Sequence, residues 1–250
     1  MEKDYLLYGR KIFQEALALG LQISEVYFSN DSSRMLIEKD FKIAQFALDV
    51  RPKKGIPQEV LHQNHQGIAF RVKHTFYLRN WDVKRDRFPI ILLCNHLEDV
   101  QNLGALARSA AGFGVSLIVH EERRSVRINS AAVRISAGQA FRMKFLEVAN
   151  LGSFCRHLRE NDYGVVALHH ENERTADRQR KVASLFDWAP TFPLALVVGS
   201  EGHGLSKSIL DQSDVWLRIP MQEKVESLNA AVAGSIALAF AFKAFQKNKA

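Results

Sequence analysis

Three places in the chain set chemically capable residues just after short apolar runs. Asn102 is followed by Arg108 six residues on, in a stretch otherwise built from Leu, Gly and Ala. Gly199, Gly202 and Gly204 alternate with Ser200, Glu201 and His203 directly after the apolar residues 194–198. Ser227 and Asn229 follow Ile219, Pro220 and Met221 and precede an alanine-rich run. A guanidinium offers a fixed positive charge and a planar fork of donors. In an alanine-rich helix it is either a snorkelling surface residue or a half-buried anion clamp. Six helical residues turn through roughly 600°, so Asn102 and Arg108 lie well around the axis from one another. The glycine cluster reads G-x-x-G-x-G, the reverse of the dinucleotide fingerprint, and lacks the lysine of a phosphate loop. It is either a plain tight turn or a point where a ligand approaches bare backbone. Ser227 and Asn229 bring donors and acceptors to a helix start, which suits capping and is compatible with a second role.

The elements that must position these residues follow from hydrophobic patterning. Residues 90–94 form a continuous apolar run, as expected of a buried parallel strand, and residues 194–198 form another. Further strands are expected at 116–119, 145–148, 164–168 and 215–219. Helices are expected at 102–113, 130–137, 151–160, 205–211 and 227–245. This alternation predicts an α/β fold, a parallel sheet with helices on both faces, and sites at the carboxyl ends of its strands. Ahead of it, residues 5–20 read as a helix entry and helix ending at Gly20, followed by a strand at 26–28. A helix capped near Asn30 then runs to about Phe46. A strand near 47–50, a Pro/Lys/Gly loop, a short helix at 57–62 and a strand at 66–72 complete a small α/β unit over residues 1–75. From His74 to Pro89 the periodicity fails, and residues 76–88 are taken as a linker. Basic residues alternate there with Tyr77, Trp81 and Phe88, which reads as the connection to a second domain spanning 89–250.

Composition bounds the function. The 250 residues are 47% hydrophobic and 24% charged, ordinary values for globular protein. No long apolar run suggests a membrane span, and the first residues lack a signal-peptide core. Cys94 and Cys155 sit in apolar surroundings and read as buried thiols of a reducing cytoplasm. His169 and His170 have no cysteines at ligand spacing and read as a surface pair, so no metal site is expected. Residues 169–181 read as a charged surface loop. A net charge of +7 suits a polyanionic partner, nucleic acid first. A dinucleotide oxidoreductase is disfavoured because no G-x-G-x-x-G follows the first strand of the second domain.

Taken together, the three strand ends closely resemble the three signature motifs of the SpoU-type (TrmH) RNA ribose 2′-O-methyltransferases of the SPOUT superfamily. The first is Asn102-Leu103-Gly104-Ala105 with Arg108 and Gly112-Phe113-Gly114. The second runs from Leu196 to Leu205 through Gly199-Ser200-Glu201-Gly202. The third is Ile219-Pro220-Met221 with Ser227-Leu228-Asn229. The likeness covers about residues 88–245. Tyr8-Gly9-Arg10 and His65-Gln66-Gly67-Ile68 also resemble the small substrate-binding domain of two-domain 23S rRNA guanosine 2′-O-methyltransferases. The resemblance implies a C-terminal parallel sheet with a deep trefoil knot, S-adenosyl-L-methionine as cofactor, and no metal. It also implies a homodimer formed through the knotted region. Gly199, Ile219, Met221 and Leu228 would line the cofactor pocket together with Glu201, Ser227 and Asn229. Arg108 would act on the ribose hydroxyl, oriented by Asn102, Glu201, Ser227 and Asn229. The expected substrate is structured RNA, rRNA ahead of tRNA, and a catalytically silent RNA-binding protein of the same fold is the reading of another class. Glu223 departs from the family pattern, standing where many members carry glycine.

Overall fold

The structure is a computed structural model that describes residues 2–41, 52–83, 88–169, 182–200, 204–222, 224–225 and 227–249. The chain opens with strand β1 (Lys3–Tyr8), helix α1 (Arg10–Ala18), strand β2 (Gln22–Phe28) and helix α2 (Asp31–Asp40). Strands β3 (Pro52–Lys54) and β4 (Ile68–His74) follow. These strands form a four-stranded sheet in the order β1-β4-β2-β3. β4 is antiparallel to both of its neighbours, and β3 runs parallel to β2.

Three expectations for this part need correction. Residues 3–8 are a strand rather than a helix entry, because Gly9 at φ 99° breaks the backbone before α1 and all six residues of β1 pair with β4. Leu7, Ile12, Phe13 and Ala16 are nonetheless spaced as one helical face would be, which is why the break leaves no mark on the hydrophobic pattern. Residues 52–54, expected in a loop, pair as β3. The short helix at 57–62 is a single 3-10 turn, Gln58–Val60. α2 begins where expected, with the Asn30 side chain accepting from Ser33 N, but its described part ends at Asp40. The expected strand at 47–50 lies outside the described residues.

The second sheet is built from β5 (Ile90–Cys94), β6 (Leu117–Glu121), β7 (Lys144–Val148), β8 (Gly164–Leu168), β9 (Val182–Ser184), β10 (Leu194–Val198) and β11 (Val215–Arg218). Its order is β7-β6-β5-β10-β8-β11-β9, and every recorded pairing is parallel. Its helices are α3 (Val100–Gly112), α4 (Ser130–Ile135), α5 (Leu151–Arg159), α6 (Lys207–Gln212) and α7 (Ala230–Lys249). Strand alternation divides the core. Ile90, Leu92 and Cys94 pack with α3, α4 and α7, whereas Ile91 and Leu93 pack with Leu151, Cys155 and Ile209 of α5 and α6. The two cysteines are buried free thiols, and burial pushes both up to about 12. β9, an edge strand of three residues, was not anticipated. His169 is not a surface residue as expected: it is half-buried, its ring 5.1 Å from that of Trp216, and its N–H donates to Leu217 O. His170 and residues 171–181 lie outside the described residues. No described helix is long and apolar enough to cross a membrane.

The two sheets share an apolar cluster that runs from Leu7 and Phe70 through Phe76 to Phe141 and Phe145. The segment between them is tied down, since Phe145 N donates to Phe76 O and Leu78 N to Phe145 O. Polar contacts add to the junction. Arg142 donates to Glu15 at 2.9 Å, and the Arg134 guanidinium lies 4.5 Å from the Tyr8 ring centre. Hydrogen bonding from Arg142 outweighs partial burial and holds the Glu15 carboxyl below its ordinary value. A carboxyl depressed in the folded state contributes stability above pH 4.5, its ordinary value. That stability is lost as pH falls below 4.5 and through the depressed value. Urea midpoints measured from pH 7 to pH 3 should therefore fall more steeply for the wild type than for Glu15→Gln, and equal slopes would contradict the assignment.

Gly104 sets the approach of α3 to α4. A Cβ there would lie 2.6 Å from Ile135 Cβ and 3.0 Å from the Ala132 carbonyl oxygen. Gly104→Ala gains about 1 kcal/mol in helix propensity but overpacks this contact at a cost of about 1–3 kcal/mol. A lower urea midpoint at unchanged m-value is the expected outcome.

Candidate active site

The three sequence features converge on the carboxyl edge of the parallel sheet. Asn102 lies in the first turn of α3, which Asp99 caps by accepting from Gln101 N. It is 8% exposed. Asn229 precedes α7, which starts at Ala230, three residues later than the expected start at Ser227. Asn229 Oδ1 accepts from Ala231 N at 3.0 Å and Val232 N at 3.2 Å, so the capping reading is correct. Its Nδ2 donates to Asn102 Oδ1 at 2.8 Å. Because the oxygen is committed to two backbone donors, the amide can face Asn102 only with its nitrogen. The same asparagine thus caps α7 and ties it to the start of α3. A second tie lies further along, where the Ser235 and Ser109 hydroxyl oxygens lie 2.7 Å apart in a hydrogen bond. Gly234 permits the closeness: a Cβ there would fall 2.6 Å from Leu106 Cδ2.

Arg108 sits elsewhere on α3, as the helical angle predicts. It is exposed and makes no hydrogen bond or ion pair to any described residue. Glu201, expected to orient it, lies outside the described residues, as do His203 and Glu223. Ser227 is exposed ahead of α7. Of the residues expected to act together, the structure joins Asn102 and Asn229 directly.

The glycine turn leaves β10 and closes on itself. Ser200 and Gly204 form an antiparallel bridge, with Gly204 N donating to Ser200 O at 3.1 Å. A Cβ on Gly199 would lie 2.5 Å from the Gly204 carbonyl oxygen, so the turn itself demands glycine there. Ser200 Oγ is buried without a hydrogen-bond partner among the described residues. Ile219 and Leu228 are half-buried and Met221 is 38% exposed. An unsatisfied hydroxyl and uncovered apolar side chains are what a small, largely apolar ligand with a few polar groups would engage.

Sequence reasoning missed a polar network beneath these loops. Asn95, fully buried at the end of β5, accepts from Ser206 N at 3.1 Å through Oδ1 and donates to Glu121 Oε2 at 3.2 Å through Nδ2. Its N–H donates to Val198 O at 2.9 Å. Glu121 also accepts from Leu151 N at 3.1 Å, and His96 Nε2 stands 3.1 Å from it. Asn95 therefore links the loop before α3, the end of the glycine turn and the end of β6. The available signal was an asparagine directly after a wholly apolar strand, where a buried amide must be fully hydrogen-bonded.

Comparison with known proteins agrees with this geometry. Residues 89–239 match the SpoU rRNA methylase family. An uncharacterized tRNA/rRNA methyltransferase of Mycobacterium leprae is 31% identical over 239 residues, covering 92% of this chain and 74% of that protein. Among solved structures, the SpoU methyltransferase AviRb from Streptomyces viridochromogenes in complex with AdoMet superposes with a TM-score of 0.72 at 19% identity, over 99% of this chain and 92% of that one. An RNA 2′-O ribose methyltransferase superposes with a TM-score of 0.76 at 22% identity, over 97% and 89% of the two chains. These structural likenesses establish a common fold, and the match over residues 89–239 establishes that the chain belongs to the SpoU rRNA methylase family.

Proposed function

We propose that this protein methylates a ribose 2′-hydroxyl in structured RNA, ribosomal RNA of the 23S type ahead of tRNA, using S-adenosyl-L-methionine. The observation that carries the reading is the Asn102–Asn229 hydrogen bond. It fixes the helix bearing Arg108 against the segment bearing Ile219, Met221, Ser227 and Leu228, beside the glycine turn. The unsatisfied Ser200 hydroxyl and the uncovered apolar residues fit the cofactor, whose adenosine part Gly199, Ile219, Met221 and Leu228 would hold, with Glu201, Ser227 and Asn229 at its polar edges. When bound, S-adenosylmethionine supplies an electrophilic methyl group on a positive sulfonium sulfur.

The protein's task is to position the hydroxyl and to ease loss of its proton. Arg108 is exposed and unpaired among the described residues, so it is available to an incoming polyanion. A guanidinium keeps its proton near neutral pH. Arg108 therefore acts as a charge, holding the adjacent phosphate and stabilising the developing alkoxide, rather than as a base. Asn102 and Ser227 orient the ribose. The fold supports a knotted threading of the segment after β11. Residues 1–75 serve as the substrate-binding domain, 76–88 as its connection and 89–250 as the methyltransferase domain. A homodimer through the knotted region is supported by exposed apolar surface at Phe186, Val225 and Val232, 61%, 47% and 47% exposed. The site of action is the cytoplasm, where such RNA is matured.

Mapping 2′-O-methylation across rRNA and tRNA in a deletion strain tests the activity: one position should lose its methyl group, and complementation with Arg108→Ala should leave it unmethylated. Every position remaining methylated would refute the assignment. With purified protein, Arg108→Ala should lower kcat about 10²- to 10³-fold, the range for losing one charge-stabilising donor, at unchanged S-adenosylmethionine affinity by calorimetry. Asn95→Ala removes the acceptor for Ser206 N and one of the donors to Glu121. It should cost about 1–3 kcal/mol in urea unfolding and weaken S-adenosylmethionine binding, since the glycine turn loses its anchor.

A further inference from the structure

Resting on that reading, we propose that the loop between β6 and α4 is the clamp for RNA phosphates next to the target nucleotide, with Arg123 and Arg124 as its contacts. The loop leaves the carboxyl end of β6, the strand beside β5 and two places from β10, about 10 Å from the glycine turn at usual strand spacing. It is anchored on both sides of its exit. Val126 N donates to Leu97 O at 2.8 Å, tying it to the loop that leads into Asn102 and Arg108. Ile128 N donates to the Tyr77 hydroxyl at 3.0 Å, and that oxygen stands 2.9 Å from Nε2 of buried His120. Arg127 is spent on this anchorage, lying 5.0 Å from the Tyr77 ring centre and pairing with Glu147.

Arg123 and Arg124 are not spent. Both are exposed at the tip, and neither makes an ion pair or hydrogen bond with a described residue. Arg124 takes the uncommon φ of 57°. The exposed acids nearby, Glu122 on the same loop and Glu98 on the neighbouring one, pair with neither. An arginine pair held on an anchored loop is an entropically inexpensive binder of phosphate, and its planar forks match phosphate oxygens. Beyond the loop the chain enters α4, whose Arg134 lies over Tyr8 of the four-stranded sheet. The loop thus joins the strand ends that carry the candidate active site to the helix that meets the N-terminal unit. An RNA reaching both would cross it.

The test uses the full-length protein, rRNA purified from cells lacking the gene, and a fluorescein-labelled RNA stem-loop. Arg123→Glu/Arg124→Glu should raise the KM for rRNA tenfold or more, with melting temperature and S-adenosylmethionine affinity unchanged. Loss of two phosphate contacts should flatten the slope of log Kd against log salt for the stem-loop by about 1.4–1.8. Arg123→Lys/Arg124→Lys keeps the charge and should retain most of that slope. A KM within twofold of wild type and an unchanged salt slope would overturn the clamp. Failure of the wild type to methylate the rRNA would count against the proposed function instead, and the stem-loop titration would still decide the clamp.

Discussion

The carboxyl edge of the large sheet depends on one side-chain amide. Helix α7 begins with backbone N–H groups that no residue of the helix can satisfy, and Asn229 Oδ1 accepts two of them. The other end of the amide reaches Asn102 on α3. A helix start is ordinarily the part most prone to fray, yet here it is registered against a second helix start with a defined donor and a defined acceptor. Gly234 and the Ser235–Ser109 hydrogen bond continue the registration down the seam. Capping and function need not compete for Asn229, because the two ends of its amide serve different partners.

Beneath that seam the strand ends are held by Asn95 and Glu121. Parallel strands leave their loops on one edge, where each loop has backbone groups that the sheet cannot pair. Asn95 meets this need for two loops at once, and Glu121 brings in the first N–H of α5. The glycine turn is thus closed internally by Ser200 and Gly204 and fastened externally at Ser206.

The parallel sheet was legible because its central strands are continuous apolar runs. Ile90 to Cys94 and Leu194 to Val198 are buried on both faces, and five-residue apolar runs are too short for a buried helix but suit a central parallel strand. β1 is hidden in the sequence because Leu7, Ile12, Phe13 and Ala16 fit one helical face. The interruption is a single dihedral at Gly9 that periodicity cannot register. β9 escaped because three half-buried residues at a sheet edge carry no pattern. Among the site residues, spacing locates Asn102 and Asn229 but cannot reveal that they touch, since 127 positions separate them in the chain and only the packing of α7 on α3 brings them together. Asn95 carries no such spacing signal, because a lone polar residue after a strand also describes an ordinary loop.

The distribution of charge makes the proposed chemistry coherent. A sulfonium cofactor is a cation and RNA is a polyanion, so one uniformly basic surface would serve the second and oppose the first. The described residues beside the glycine turn and after β11 that would meet the cofactor are Gly199, Ser200, Ile219, Met221 and Leu228, none of them charged. Arg108, Arg123 and Arg124 lie on the β5–β6 side, on α3 and on the adjoining loop. In the proposed site the sheet order would set these uncharged residues one or two strand spacings from Arg108, Arg123 and Arg124. Reaction would occur at the boundary, where Arg108 can stabilise oxygen on the RNA without facing the sulfonium across the same pocket. A catalytic arginine placed among the glycine-turn residues would raise the free energy of the bound cofactor. Placed on α3, its charge is kept for the substrate.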